Sequence, residues 1–283
     1  MTERERFLTA VYANPDDDNV RLVFADWLDE NGDPDRAEFI RAQIRSARRP
    51  RVYFPAPQPR EDELLAAHRE DWIRDSGGAW DLPDGYLARM RDWAAKVPTQ
   101  RWRASGNPPW IFRRGFPDHL DFTGARDVPV VDWLYGIPAF PVLRGLYVHG
   151  NNMGGIGASR LAACPKLNRL AVLELGGNGI GPAGAAAIAA GPHWGELTWL
   201  SLGDNGIGPA GTAAIAGRSW QKLVELNLAD NAIGAAGVAA LIGSQGLNAL
   251  TTVIVPRNRL GREQLAALKG RFKSVRLMGS VPP

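Results

Sequence analysis

From about residue 143 onward, apolar and polar positions recur in a fixed frame: Leu-x-x-Leu-x-Leu-x-x-Asn, then a small step and a glycine. The asparagines fall at Asn151, Asn178, Asn205, Asn231 and Asn258, with successive spacings of 27, 27, 26 and 27 residues. Within each period two apolar residues alternate with other types: Leu173 with Leu175, Leu200 with Leu202, Leu226 with Leu228, Val253 with Val255, and Leu146 with Val148 in the first copy. That alternation predicts a short strand with one buried face. After each strand comes Asn-x-(Ile/Met/Leu)-Gly, as in Asn178, Ile180 and Gly181. An Asn amide offers donors and an acceptor together, so stacked turns of this kind are expected to build an internal polar ladder. A helical stretch follows, for example 182–190 or 209–216, with proline in the first turn, where its missing N–H costs little.

Neighbouring strands sit about 4.8 Å apart, whereas packed helices prefer about 8–10 Å. Stacked strand–helix units must therefore curve, with parallel strands on the concave side and helices on the convex side. Small residues such as Ala187, Ala213 and Ala239 reduce the mismatch without removing it. This frame resembles the leucine-rich repeat, whose coils each need a neighbour to bury their apolar face. The 26–27-residue pitch, the helical outer segment and the Asn-x-Ile-Gly step resemble its ribonuclease-inhibitor-like subclass over roughly 116–280. The implied fold class is α/β, a curved solenoid preceded by a small α-helical domain. Leu120 and Phe122, 26 residues before Leu146 and Val148, read as a degenerate leading coil whose Asn is replaced by Ala125. Val275 and Leu277, 22 residues after Val253 and Val255, read as a shortened closing strand.

The first 50 residues have another rhythm. Phe7, Leu8 and Val11 share a helical face over 3–13; Asn14-Pro15 breaks it and Asp16 to Asp18 offer N-caps for a helix over about 19–30. That second helix places Leu22, Val23, Trp27 and Leu28 near one side and stops at Gly32; a third, about 35–48, presents Phe39, Ile40 and Ile44. Three helices this short need neighbouring support. The run Phe7-Leu8, Ala13-Asn14-Pro15-Asp16-Asp17-Asp18, Arg21 to Pro34 and Glu38-Phe39-Ile40-Arg41-Ala42-Gln43 resembles the bacterial repeat-companion domain over 3–48. That family often precedes leucine-rich repeats, and the resemblance implies no activity. The expected domains are thus 1–50, a Pro/Trp-rich connector at 51–115, and a repeat array with degenerate caps at 116–283. In the connector, Pro55 to Pro59 reads as an extended linker and 61–75 as a helix carrying Leu64, Leu65, His68, Trp72 and Ile73. Trp80, Trp93, Trp102 and Trp110 read as glue between the helical unit and the first coil rather than as an aromatic binding surface.

Composition adds the compartment. The single cysteine, Cys164, excludes an intramolecular disulfide, and the charged start Met1-Thr2-Glu3-Arg4-Glu5-Arg6 is unlike a secretory signal. No apolar run approaches a membrane span, so the expectation is a cytoplasmic monomer. Charge is unevenly spread: residues 1–50 carry a net −3, and residues 251–283 carry seven basic side chains against one acid.

Several segments imitate chemical motifs. Gly179-Ile180-Gly181-Pro182-Ala183-Gly184 is a formal G-x-G-x-x-G between strand and helix. It recurs one coil later at Gly206 to Gly211, so it serves the architecture. Aligning Gly32 with the glycine of an EF-hand loop puts Asp29, Asn31, Asp35 and Glu38 at ligand positions, but Trp27 then falls on the first one and Pro34 intrudes. The four histidines, His68, His119, His149 and His193, begin no ligand cluster, and Cys164 before Pro165 reads as a packed thiol. No catalytic residue, metal site or cofactor is expected.

The alternation that buries Leu173 turns the flanking residues to the concave face. One column is Gly145, Val172, Trp199, Glu225 and Thr252; the next is Tyr147, Glu174, Ser201, Asn227 and Ile254. Asp204, Asp230 and Arg257 stand just before the Asn of their coils, and His149 belongs to the first strand region. Aromatic anchors beside carboxylates suit a protein contact. The expected partner site is Tyr147, His149, Glu174, Trp199, Ser201, Asp204, Glu225, Asn227, Asp230 and Ile254. A second patch, Arg257, Arg259, Arg262, Arg271, Lys273 and Arg276, suits an acidic partner or nucleic acid, although a solvated cap explains it as well. The expected function is a non-catalytic scaffold for a protein partner. The alternatives are a GTPase-activating regulator, by fold analogy alone, and a nucleic-acid binder acting through the basic end.

Overall fold

The computed structural model describes residues 1–14, 16–47, 59–75, 110–113, 116–124, 130–136 and 143–277. The chain divides into two compact units, Met1–Asp121 with Ile137–Leu143, and Phe122–Gly136 with Arg144–Pro283. No helix among the described residues is long and apolar enough to cross a membrane.

In the first unit, helices α1 (Glu3–Ala13), α2 (Asp18–Glu30), α3 (Pro34–Ala47) and α4 (Pro59–Asp75) precede an antiparallel pair, β1 (Trp110–Arg113) and β2 (Phe116–Asp121). The starts of α1 and α2 have local causes. Thr2 and Glu5 close a reciprocal capping box on α1, and the Asp17 carboxylate accepts from Asn19 N–H at 2.9 Å to open α2. The core joins Val11, Tyr12, Phe24, Ala25, Leu28, Ala37, Ile40 and Ile44 with Phe116 from β2. Phe116 supplies the support that three short helices lack, edge-on to Tyr12 at 6.1 Å and stacked on Phe24 at 6.2 Å. Trp72 from α4 is buried against Phe39 at 4.8 Å, so it closes the helical unit on itself. Trp80, Trp93 and Trp102 lie outside the described residues.

The face expected for α2 needs correction. Val23 is exposed, and the buried stripe is Arg21, Phe24, Ala25 and Leu28, an i, i+3, i+4, i+7 set led by a cation. Arg21 is accommodated because its guanidinium donates to the Asp17 carbonyl at 3.0 Å and lies 5.7 Å from the Phe116 ring. An apolar pattern could not announce an arginine as a core residue.

In the second unit, six strands pair in parallel in chain order: β3 (Gly145–Tyr147), β4 (Val172–Glu174), β5 (Trp199–Ser201), β6 (Glu225–Asn227), β7 (Thr252–Ile254) and β8 (Ser274–Arg276). Helix α5 (Val130–Gly136) precedes them, and α6 (Gly154–Ala162), α7 (Gly181–Ala190), α8 (Gly208–Gly217), α9 (Gly234–Gly243) and α10 (Arg262–Arg271) connect successive strands. The register aligns Leu146, Leu173, Leu200, Leu226 and Val253, all fully buried.

The asparagines form the expected ladder. Asn205 donates from Nδ2 to the carbonyls of Leu175 at 2.9 Å and Leu202 at 3.0 Å, while its Oδ1 accepts from the N–H of Asn178 at 3.0 Å and of Ile180 at 3.3 Å. Asn178, Asn231 and Asn258 repeat this geometry and are buried. One side chain per coil thus satisfies backbone groups of two coils.

The glycines of the apparent dinucleotide motif have architectural tasks. Gly179 and Gly181 both have left-handed backbone, with φ of 62° and 63°. A Cβ on Gly184 would stand 2.7 Å from Ile180 Cβ and 3.2 Å from Ala158 Cβ, so the third glycine allows neighbouring helices to approach closely. Gly206, Gly208 and Gly211 do the same one coil on.

Candidate functional site

The parallel register brings the two expected columns together, since Val172 pairs with Trp199 and Trp199 with Glu225, while Glu174 pairs with Ser201 and Ser201 with Asn227. Their exposure differs from the expectation. Tyr147 is only 1% exposed and Ile254 fully buried; Trp199, Ser201 and Glu174 are buried as well. In the free chain these five form the floor of the face. The reason is the 4.8 Å strand spacing, which lets each side chain be covered by those beside it.

The floor also consumes its own polar groups. Trp199 Nε1 donates to Glu225 Oε1 at 3.0 Å, and the other Glu225 oxygen meets Arg276 Nη1 at 3.4 Å, so one carboxylate ties β5, β6 and β8 together. Asn227 donates to Ser201 Oγ at 3.1 Å and accepts from Ala229 N–H at 3.0 Å. Glu174 Oε1 accepts from Gly176 N–H at 2.7 Å and lies 3.6 Å from His149 Nδ1. A side chain at Gly176 would collide with the His149 ring at 2.5 Å, so the glycine makes the seat for that histidine.

What remains accessible is a rim one residue before each ladder asparagine. Gly150, Gly177, Asp204, Asp230 and Arg257 all have left-handed backbone, with φ of 71°, 65°, 54°, 55° and 55°. Their common conformation is imposed by the coil: the N–H of Asp204 donates to the Ala229 carbonyl at 2.8 Å, that of Asp230 to Pro256 at 3.0 Å, while the next residue is locked in the ladder. Asp tolerates this conformation; for Arg257 it costs roughly 1–2 kcal/mol. The Arg257 guanidinium nonetheless approaches Asp230 Oδ1 at 2.7 Å and keeps 79% of its side chain exposed. The hydrogen bond to Asp230, with the nearby charge of Asp204, holds Arg257 above the ordinary arginine range. His149, with half of its side chain exposed, and Asp204 stand open at the same edge, and Glu225 and Asn227 are partly open. Nothing in the Leu/Asn frame signals the rim's conformation except glycine in two of its five copies.

The basic set is partly engaged. Arg257 and Arg276 are committed to Asp230 and Glu225, and half-buried Arg271 donates to the Ser244 carbonyl at 3.4 Å and covers Phe272. Arg259, Arg262 and Lys273 are exposed.

The elements that imitate metal or redox chemistry are also engaged. Asp29 pairs with Arg41 at 2.6 Å, Asp35 with His68 at 2.9 Å and Glu38 with Arg60 at 2.9 Å, while Asp33 accepts from Arg36 N–H at the start of α3. No group of three or more metal-ligating side chains occurs among the described residues. Cys164 is buried, which pushes its thiol pKa up and away from the reactive thiolate.

Residues 167–189 and 221–241, each running from before a strand into its following helix, match the family model described as Leucine Rich repeat. The second unit is a leucine-rich-repeat solenoid. A search of curated proteins returns no match to the chain. Leucine-rich repeats generally serve as protein-interaction scaffolds and are typically non-catalytic.

Proposed function

We propose that this protein is a non-catalytic scaffold that holds a protein partner on the strand face of its repeats. The observation that carries this is the rim: charged residues occupy left-handed positions that glycine fills in the first two coils, and Arg257 does so at a conformational cost while remaining exposed. The coil imposes the left-handed backbone, and what supports a contact there is that three coils fill it with a charged side chain where glycine would fit without strain. His149, Asp204, Asp230 and Arg257 form the contact line, with Glu225 and Asn227 beside it. Trp199, Tyr147, Ser201, Glu174 and Ile254 form the rigid floor that fixes the line's geometry. The organisation we propose is a helical unit of the repeat-companion type at 1–50, a connector at 51–115 and the array at 116–283, acting as a monomer in the cytoplasm of a bacterium.

Affinity capture followed by mass spectrometry tests the reading, using the full chain, an Asp204→Lys/Arg257→Glu variant and an Ala186→Glu/Ala213→Glu variant on the exposed helix faces. Proteins captured by wild type should be lost from the rim variant and kept by the helix-face variant. The opposite pattern contradicts the proposal.

A further inference from the structure

We propose that the outer edge of β8 takes an extended acidic segment of a protein partner, added to the sheet as a further strand. The site is separate from the rim and does not rest on it. Backbone bonding in the closing coil shows which groups face outward: Ser274 N–H donates to the Thr251 carbonyl and Val255 N–H to the Arg276 carbonyl. Ser274 and Arg276 therefore bond towards β7, and by strand alternation the N–H and C=O of Val275 point away from it. Among the described residues no strand lies beyond β8.

The side chains show the same incompleteness. Val275 continues the column whose five preceding members are fully buried, yet it is partly exposed, and Leu277 is 47% exposed although Val255, its neighbour in the frame, is buried. Val275 and Leu277 project to one side and Arg276 to the other. Lys273 is exposed just before the strand, and Arg276 keeps about half of its side chain open despite its pair with Glu225. Glu263 is the one acidic residue in 251–283.

These features select the occupant. An added strand with apolar residues on one side and acidic residues on the other would cover Val275 and Leu277 and meet Arg276, with Lys273 at the end of the edge adding positive charge, while its backbone satisfies Val275. A second copy of the chain adding through the same edge would bring Lys273 and Arg276 against like charges, which is how cationic edges resist self-pairing. Nucleic acid fits the charge and offers no strand to pair.

The test uses the full chain and a blocked ten-residue peptide of alternating valine and glutamate at neutral pH, with hydrogen exchange read at the Val275 amide. That amide should exchange freely in the protein alone and slow by about ten-fold or more when the peptide binds. Lys273→Glu/Arg276→Glu should weaken binding by about ten-fold or more. Val275→Pro should abolish it while sparing the bonds to β7, because proline removes a donor that points outward. The proposal is overturned if Val275 is already protected in the free protein, or if the peptide binds without slowing Val275. It is equally overturned if a lysine-for-glutamate peptide binds as well, if Val275→Pro binds unchanged, or if a single-stranded ten-nucleotide DNA displaces the peptide without protecting Val275.

Discussion

The repeat array and the helical unit both bury polar side chains, and they do so in opposite ways. In the array each buried Asn meets the same backbone groups at the same positions coil after coil. In the helical unit the buried cations are individual solutions: Arg36 lies 4.6 Å from the Trp72 ring and 5.3 Å from that of Phe116, and burial lowers its pKa to about 10. The first arrangement satisfies obligatory backbone groups and so belongs to the fold. In the second, Arg36 sets a charge against aromatic faces, a contact that the chain of a methionine can keep. The two regions should therefore respond differently to loss of a buried polar group.

Asn205→Ala should have the largest effect. It strips the acceptor from the N–H groups of Asn178 and Ile180 and the donor from the Leu175 and Leu202 carbonyls. The expected loss is about 3 kcal/mol or more in urea unfolding, and a loss below about 1 kcal/mol would remove the ladder from its central place. Gly211→Ala comes next, because its Cβ would stand 2.8 Å from Ile207 Cβ and 3.0 Å from Ala185 Cβ; about 1–3 kcal/mol should be lost. Ala232→Gly should act in the other direction. Ala232 holds φ of 52° where Gly179 and Gly206 hold 62° and 63°, so glycine should raise stability by about 1 kcal/mol.

Arg36→Met should have the smallest effect at pH 7, leaving the unfolding midpoint unchanged or slightly raised, because methionine keeps the aromatic contacts without a buried charge. The sign of its pH dependence follows from the lowered pKa. Below about pH 10 both folded and unfolded protein hold the proton, so the cost of burying the charge is constant. Above that, folded Arg36 releases its proton before the unfolded chain does, and the wild-type protein gains stability with pH. Any advantage of the methionine variant should shrink as pH rises through 10; an advantage that grows would contradict the burial account.

Sequence periodicity made the array legible because every coil obeys the same geometry. The columns through Leu173 and Glu174, the Asn ladder and the tasks of Gly179 to Gly184 could all be read from residue spacing. The buried state of Tyr147 and Ile254 could not, since it depends on what lies beside them rather than on which face they occupy. Nor could the Glu225 bridge between Trp199 and Arg276, which joins residues 26 and 51 positions away through a carboxylate that an alternation rule treats as free. In the helical unit, Arg21 stood in the core stripe because of Phe116, a ring 95 residues later with no period to reveal it. The rim fell between: its positions were visible in Asp204, Asp230 and Arg257, and its left-handed backbone was hinted at by Gly150 and Gly177 alone.

The central claim is that the repeat frame builds the floor and leaves the rim to the partner. Hydrogen exchange of the full chain, with and without a protein captured by it, addresses this most directly. Partner-dependent protection should concentrate in the turns around 149–152, 176–179, 203–206, 229–232 and 256–259, with α7, α8 and α9 unchanged. Protection confined to those helices, with the five turns unaffected, would contradict it.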